Sequence, residues 1–240
     1  MGLTEANRQK FEYAEMASQY DAKDWHKKMA SMITGEIRGR LDWFGVDWAK
    51  EHDKSRDVRL LDYACGTGLI SRTLGPFVTT IRGIDLSANM TTEYNSRAVA
   101  AGFSPEQMSA IQGNVAANDP GAHLADPALF NFDVAAVGLG FHHFDDVFLA
   151  TKRISERLKP GGVFFIVDLL SDKPHDIPPE LKDYVKVYGF NESGMRSLFE
   201  GAGLVDFGFS VIDQEAEMEK KAGEKFTVTL FVAKGRKPAQ

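Results

Sequence analysis

One stretch constrains the fold of this chain more than any other: LLDYACGTGLIS, beginning at Leu60. An apolar run passes straight into Cys65-Gly66-Thr67-Gly68, and an amphipathic segment starts at Leu69. Glycines admit backbone conformations that other residues avoid, so the chain can reverse here within a few residues. The pattern reads as a strand feeding a helix through a tight turn, with the first N–H groups of the helix left without intrahelical partners. A strand that leaves through a helix returns parallel to the first, which points to a parallel sheet.

The downstream texture repeats that unit. Apolar runs at 58–64, 79–86, 108–113, 132–140 and 162–170 alternate with helical patterns at 68–75, 88–101, 145–158 and 191–202. Strand alternating with helix gives βαβ units, a mainly parallel sheet and right-handed crossovers. Two further runs, 204–212 and 225–233, are separated only by the charged residues 213–224, which predicts an antiparallel terminal hairpin. Upstream, residues 5–43 carry Phe11, Tyr13, Ala14, Met16, Ala17 and Tyr20, then Trp25, Met29, Met32, Ile33, Ile37 and Leu41, at helical spacing. Gly35 and Gly39 weaken that pattern. The polar stretch 45–57 reads as a linker, and the terminal KGRKPAQ as a solvated tail. The expected organisation is an N-terminal helical cap over 1–57, part of the same domain as a main α/β unit over 58–235.

Composition narrows the classes. Hydrophobic residues at 43% and charged residues at 26% describe an ordinary globular chain. A formal net charge of −6 argues against binding that depends on broad phosphate contacts, so no nucleic-acid partner is expected. Cys65 is the single cysteine, which precludes an internal disulfide and fits a reducing compartment. No apolar run approaches the ~18–20 residues of a membrane span. The charged opening residues lack the apolar centre of a secretory leader, and Ala6 breaks the acylation pattern that follows Gly2. The expectation is a soluble cytoplasmic protein with no membrane partner.

Two acids specify the ligand. Asp85 ends the second apolar run, where a carboxylate accepts hydrogen bonds from ribose hydroxyls, so the expected cofactor carries a ribose and an adenosine. Gly-Lys-Ser/Thr is absent, which removes a phosphate-binding P-loop. The third glycine of a dinucleotide fingerprint is replaced by Ser71, and no tyrosine is followed four residues later by lysine. Asp62, four residues before Gly66, is an unwelcome charge beside a pyrophosphate and suits the ammonium of a methionine moiety, directly or through water.

Four motifs then occur in order: DYACGTG at 62–68, GIDLS at 83–87, an FDV strand leading to GFHHF at 140–144, and LKPGG at 158–162. Together they resemble the class I S-adenosylmethionine-dependent methyltransferases, in particular the small-molecule group that includes quinone-biosynthesis enzymes and fungal metabolic relatives. The resemblance covers 58–170 by motif and 190–235 by topology. It implies a Rossmann-like seven-stranded sheet of order 3-2-1-4-5-7-6 with strand seven antiparallel. It further implies S-adenosylmethionine as cofactor and methyl transfer to a small-molecule O, N or S nucleophile. Carried over position by position, Asp62, Ala64, Gly66 and Gly68 line the methionine and ribose part. Asp85 holds the ribose, with Leu86 and Met90 beside the adenine. Asn114 stands where the family usually has Asp; its oxygen accepts from the adenine amine and its amide donates to N1. Gly138 and Leu139 place carbonyls near the amino group and sulfonium, and Tyr20 caps the methionine end.

His142 and His143 follow strand four, where the transferable methyl is expected, and either is a candidate general base. The plainer alternative is that one packs and the other bonds to backbone; adjacent residues point differently, so both cannot serve equally. Neither has ligand-spaced His or Cys partners, so no metal site is expected. Cys65 reads as a small hydrophobe, and LKPGG as a helix end and turn. The long irregular stretch 169–190 reads as a lid or binding loop, with Asp168, His175, Tyr184 and Tyr188 on the substrate side. Lys220, Lys221 and Lys225 read as a solvated hairpin rim. A protein methyltransferase and a non-catalytic cofactor-binding regulatory subunit stay open as alternatives. Nucleic-acid methylation is disfavoured further by GLGF after strand four, where the Asn/Asp-Pro-Pro-aromatic tetrad is missing.

Overall fold

The computed structural model describes residues 21–49, 55–173, 176, 187–219 and 224–239. Expectations that fall on Tyr13, Tyr20, His175, Tyr184, Lys220 and Lys221 lie outside these residues. The helices are α1 (Asp24–Gly39), α2 (Leu41–Phe44), α3 (Leu69–Leu74), α4 (Ala88–Ala100), α5 (Val147–Glu156) and α6 (Glu192–Gly201). The strands are β1 (Arg59–Tyr63), β2 (Thr80–Asp85), β3 (Met108–Gln112), β4 (Phe132–Gly138), β5 (Leu158–Leu169), β6 (Val205–Val211), β7 (Ala216–Glu219), β8 (Lys225–Val228) and β9 (Leu230–Arg236).

Seven strands form one sheet in the order β3-β2-β1-β4-β5-β9-β6. Pairings from β3 through β5 are parallel, and β9 runs antiparallel to both β5 and β6. This is the expected α/β Rossmann-like sheet, with β9 as its antiparallel seventh strand. Side-chain alternation makes it a three-layer structure. Leu60, Val134, Ala136, Phe165, Val167 and Val232 face one core with Met29, Ile33, Phe44, Ile70 and Tyr94. Leu61, Tyr63, Ala135, Val137, Phe164, Ile166 and Phe231 face the other with Ile154, Met195 and Phe199. Strands buried on both faces have to be apolar at successive positions, which is why they appear in the sequence as continuous runs. The helices that follow start on polar side chains. Ser87, Asp146 and Asn191 accept from Met90, Leu149 and Gly194 N–H respectively.

The chain after β6 departs from the expected single hairpin. Residues 216–219 and 225–228 form a second, two-stranded sheet, β7-β8, and the apolar run 225–233 is divided at Thr229 between the two sheets. Ala216, Met218 and Val228 pack toward the core that contains Met29 and Ile33. Glu217 pairs with Lys225 on an exposed rim. Because β6 and β5 run in the same direction, this excursion leaves and rejoins the main sheet at the carboxyl edge of the parallel strands.

Other expectations change at element ends. LKPGG is the first part of β5, not a helix end: Leu158 pairs with Phe132, and Gly161 (φ 78°) absorbs an irregularity before Val163 pairs with Val134. Lys234, Gly235 and Arg236 belong to β9, and the Lys237 backbone bonds to Gly161 and Gly162, so the expected tail is largely sheet. The front of the expected linker is packed: Trp48 Nε1 donates to Leu41 O at 2.9 Å, and Ala49 N–H donates to Phe77 O. The cap is clasped to α3, where the Thr34 and Thr73 hydroxyls meet at 3.0 Å and Arg38 Nε donates to Thr73 O. Among the described residues no helix is long and apolar enough to cross a membrane.

Candidate active site

The strand order reverses at β1, whose neighbours are β2 and β4. The crevice at such a switch point, outside the carboxyl ends of the strands, is where α/β sheets bind ligands. The turn 64–68 lies there. Ala64, Gly66 and Gly68 have φ of 54°, 50° and 91°, and Gly68 N–H closes the turn onto Cys65 O at 2.8 Å. The two glycines do different work. A Cβ on Gly68 would stand 2.9 Å from the Tyr94 ring, whereas one on Gly66 would meet nothing within 4 Å. Gly68 is therefore needed for packing, and Gly66 leaves its backbone open to the crevice.

Asp62 ends β1 beneath this turn, fully buried. Its Oδ2 accepts from Ser71 N–H at 3.0 Å and Ser71 Oγ–H at 2.6 Å, and Tyr94 O–H donates in turn to Ser71 Oγ at 2.7 Å. Its Oδ1 has no hydrogen-bond partner among the described residues. Burial outweighs the two Ser71 bonds and pushes the Asp62 carboxyl up to about 7. A buried carboxylate oxygen without a partner, beneath a half-buried glycine turn, is suited to an ammonium group. Burial likewise pushes the Cys65 thiol well above its usual range, consistent with an inert packing residue.

Asp85 ends β2. Its Oδ2 accepts from Gly66 N–H at 2.8 Å and its Oδ1 from Ser87 N–H at 2.9 Å, so it ties the glycine turn to the start of α4. Burial raises its carboxyl above the usual range, against the pull of the amides it accepts from. Met90 is buried in the first turn of α4. Beyond β2 and β3, a cavity of about 250 Å³ opens between Leu86, Gln112, Gly113, Asn114 and His123. Asn114 is more committed than expected. Its Oδ1 already accepts from Tyr63 O–H at 3.0 Å and Ala116 N–H at 2.9 Å. Both lone pairs of that oxygen are used, so the amide N–H groups, and not the carbonyl, are what Asn114 can offer a ligand.

Gly138 ends β4 against Ile70, and Leu139 (φ 56°) donates its N–H to Val167 O at 2.8 Å. The turn that follows carries His142 and His143, with ring centroids 4.0 Å apart. His142 has a carboxylate partner: its Nδ1 lies 2.6 Å from Oδ1 of Asp168, at the end of β5. Asp168 is fully buried and also accepts from the N–H groups of Phe141, His142 and Leu169. It is thus removed from the substrate side where the sequence reading put it, and serves as the support of His142. Burial opposes its ionisation, but His142 and the converging N–H groups outweigh it and hold the carboxyl below the usual range. An ionised carboxylate only accepts, so Nδ1 of His142 carries the proton and, in the neutral ring, Nε2 presents the lone pair. Tyr188 is half-buried, and Leu170 bridges to Phe190.

Sequence reasoning missed Ser71 and Tyr94 behind Asp62, and it missed Asp21. Ser71 entered only as a missing glycine, and the other two had no local signal. Among the described residues no group of three or more His, Cys, Asp or Glu is placed to hold a metal ion.

Comparison with known proteins follows the same lines. Residues 61–166 match a methyltransferase domain family. An uncharacterized methyltransferase of Schizosaccharomyces pombe is 30% identical over 196 residues, 77% of this chain and 68% of that protein. A ubiquinone biosynthesis O-methyltransferase of Ralstonia nicotianae is 22% identical over 178 residues, 64% of this chain and 71% of that protein. The solved structure of phosphoethanolamine N-methyltransferase 2 of Haemonchus contortus in complex with S-adenosyl-L-methionine superposes with a TM-score of 0.59 at 16% identity, over 85% of this chain and 52% of that one. With the glycine turn, the two acids and the switch-point crevice in place, this chain belongs to the S-adenosylmethionine-dependent methyltransferases and uses S-adenosylmethionine as its cofactor.

Proposed function

We propose that this methyltransferase acts on a small-molecule O, N or S nucleophile, with His142 as general base and Asp168 as its positioning partner. The observation that carries the reading is the 2.6 Å contact between these two side chains, on the strands next to the cofactor turn. The quinone-biosynthesis relative and the −6 charge support a small acceptor over a nucleic acid. Lys23, just before α1, pairs with Glu219 of β7 at 3.6 Å, and both elements pack on the core that also holds Tyr94 and Ile70, which supports a cap beside the cofactor turn.

Bound S-adenosylmethionine supplies an already activated methyl group on a sulfonium. Asp62 Oδ1 would receive the ammonium of its amino acid part, directly or through water, with the backbone of Ala64, Gly66 and Gly68 alongside. Asp85 accepts from the ribose. Leu86, Met90 and the Asn114 amide would hold the adenine, and the Gly138 and Leu139 backbone would face the amino group and sulfonium. What the protein adds is alignment and exclusion of water. His142 Nε2 takes the proton that a hydroxyl, amine or thiol acceptor gives up. His143, its neighbour, shapes the same turn.

Incubating the protein and methyl-labelled cofactor with a metabolite extract tests this reading. Label should appear in the low-mass fraction. Label confined to protein bands would make the chain a protein methyltransferase, and no label anywhere would favour a regulatory cofactor-binding subunit.

A further inference from the structure

Asp21 precedes α1 and reaches three elements at once. Its Oδ2 accepts from Thr67 Oγ–H at 2.7 Å, within the glycine turn. The same oxygen pairs with Arg97 of α4 and lies 4.0 Å from Nη2 of Arg72 in α3. Arg72 in turn donates to the carbonyl of Thr67, and Arg97 is braced by Glu93 at 2.7 Å. The side chains of Asp21, Arg72 and Arg97 are each about one-quarter to one-third exposed, so solvent screens the cluster only in part.

The charges explain why one carboxylate sits there. Two guanidinium groups, from α3 and α4, approach each other beside the turn. Burial, and then the charge of Arg97, holds the Arg72 guanidinium below its usual value, and Asp21 opposes that shift. Without Asp21, like charges would push apart the two helices that flank the glycine turn. Thr67 O, held by Arg72, and Thr67 Oγ, held by Asp21, fix the one residue between Gly66 and Gly68 from both sides.

We propose that Asp21 is a positioning residue for the cofactor: as the shared counter-ion of Arg72 and Arg97 and the acceptor for Thr67, it locks the chain leading into the cap onto the cofactor turn and slows cofactor release. The inference rests on the reading of this turn as the methionine-side cofactor contact. It adds to that reading a latch made of residues that need not touch the cofactor.

The test is binding and release of S-adenosylhomocysteine, by calorimetry and stopped-flow displacement. Asp21→Asn keeps an acceptor for Thr67 but removes the charge; it should weaken affinity about five- to tenfold, mainly through faster release. Asp21→Glu should recover part of the loss. Thr67→Val, which leaves the ion pairs intact, should speed release by a smaller factor. The wild type should lose affinity with added salt more steeply than Asp21→Asn, a readout that a purely structural role would not move. Affinity and release unchanged in Asp21→Asn, or a lowered melting temperature with unchanged release, would overturn the latch and leave the cofactor contacts standing. Failure of the wild type to bind S-adenosylhomocysteine would overturn both.

Discussion

Nδ1 of His142 and Oδ1 of Asp168 are 2.6 Å apart although 26 residues separate them in the chain. Parallel pairing of β4 with β5, in the register Gly138 to Val167, brings the turn after one strand against the last residues of the next. Removing His142 should therefore cost turnover, while binding of S-adenosylhomocysteine stays near wild type. With an acceptor found by labelling, His142→Ala should lower kcat by about 10²–10⁴-fold at saturating cofactor. Asp168→Asn should lower kcat as well and also destabilise the fold, because one amide oxygen replaces two and the N–H groups of Phe141, His142 and Leu169 compete for it. His143→Ala should keep most of its turnover. Full activity in His142→Ala, measured in a single turnover, would remove the base from the mechanism.

Asp62 makes the ligand-free protein lose stability as pH rises toward neutrality. Its carboxyl is raised to about 7 by burial, so its contribution to stability is complete below the unfolded value of 3.8 and is lost as pH rises through about 7. The size of that loss is on the order of 4 kcal/mol before other groups are counted. Between about pH 4 and about pH 7 the melting temperature of the free protein should fall and then level off, and Asp62→Asn should flatten that fall. S-adenosylhomocysteine, whose ammonium compensates the charge, should restore more stability at the upper end of the range in wild type than in the variant. Identical pH profiles for the two proteins would show that Asp62 does not titrate there.

The two glycines of the turn should separate folding from binding. Gly68→Ala places a methyl 2.9 Å from the Tyr94 ring at φ 91°, so it should cost stability by about 1–3 kcal/mol. Gly66→Ala meets nothing within 4 Å, and its φ of 50° is one that other residues reach for about 1 kcal/mol. It should fold well and bind S-adenosylhomocysteine poorly. Thermal melts and calorimetry on the two variants check this, and a reversed ranking would mean the open face of Gly66 is not a ligand surface.

Gly83 in β2 is a close approach of backbone to side chains. A Cβ there would lie 2.8 Å from Ala110 Cβ and 2.9 Å from Cys65 Sγ. Gly83→Ala should destabilise by about 1–3 kcal/mol through overpacking. Cys65→Ala in the same chain should return part of that loss, because it removes one of the two contacts. Denaturant titrations of the single and double variants measure the coupling, and strict additivity would show that the sulfur is not what Gly83 makes room for.

The local parts of this fold were legible because each has a local cause. Continuous apolar runs mark strands buried on both faces, and the helical spacing between them marks the elements that cover those faces. The β7-β8 excursion was not legible. Its strands have four residues each, Glu217, Glu219 and Lys225 dominate their appearance, and the run 225–233 gives no sign that Thr229 changes sheets. Alternation over four residues is too short a pattern to stand out from a charged connection.

The sequence by itself determined the turn, the acids at the strand ends and their chemistry, since the residue types there can be read one at a time: glycines where φ is positive, carboxylates where strands finish. Tertiary structure alone decided which groups meet. Ser71, itself held by Tyr94, takes one oxygen of Asp62 through its N–H and hydroxyl and leaves the other open, and Tyr63 and Ala116 take the oxygen of Asn114. Asp168 chooses His142 as its partner, and Asp21 gathers Arg72, Arg97 and Thr67. Hydrogen bonds and ion pairs act over about 3–4 Å in space, and separation along the chain carries no record of them until the strands pair.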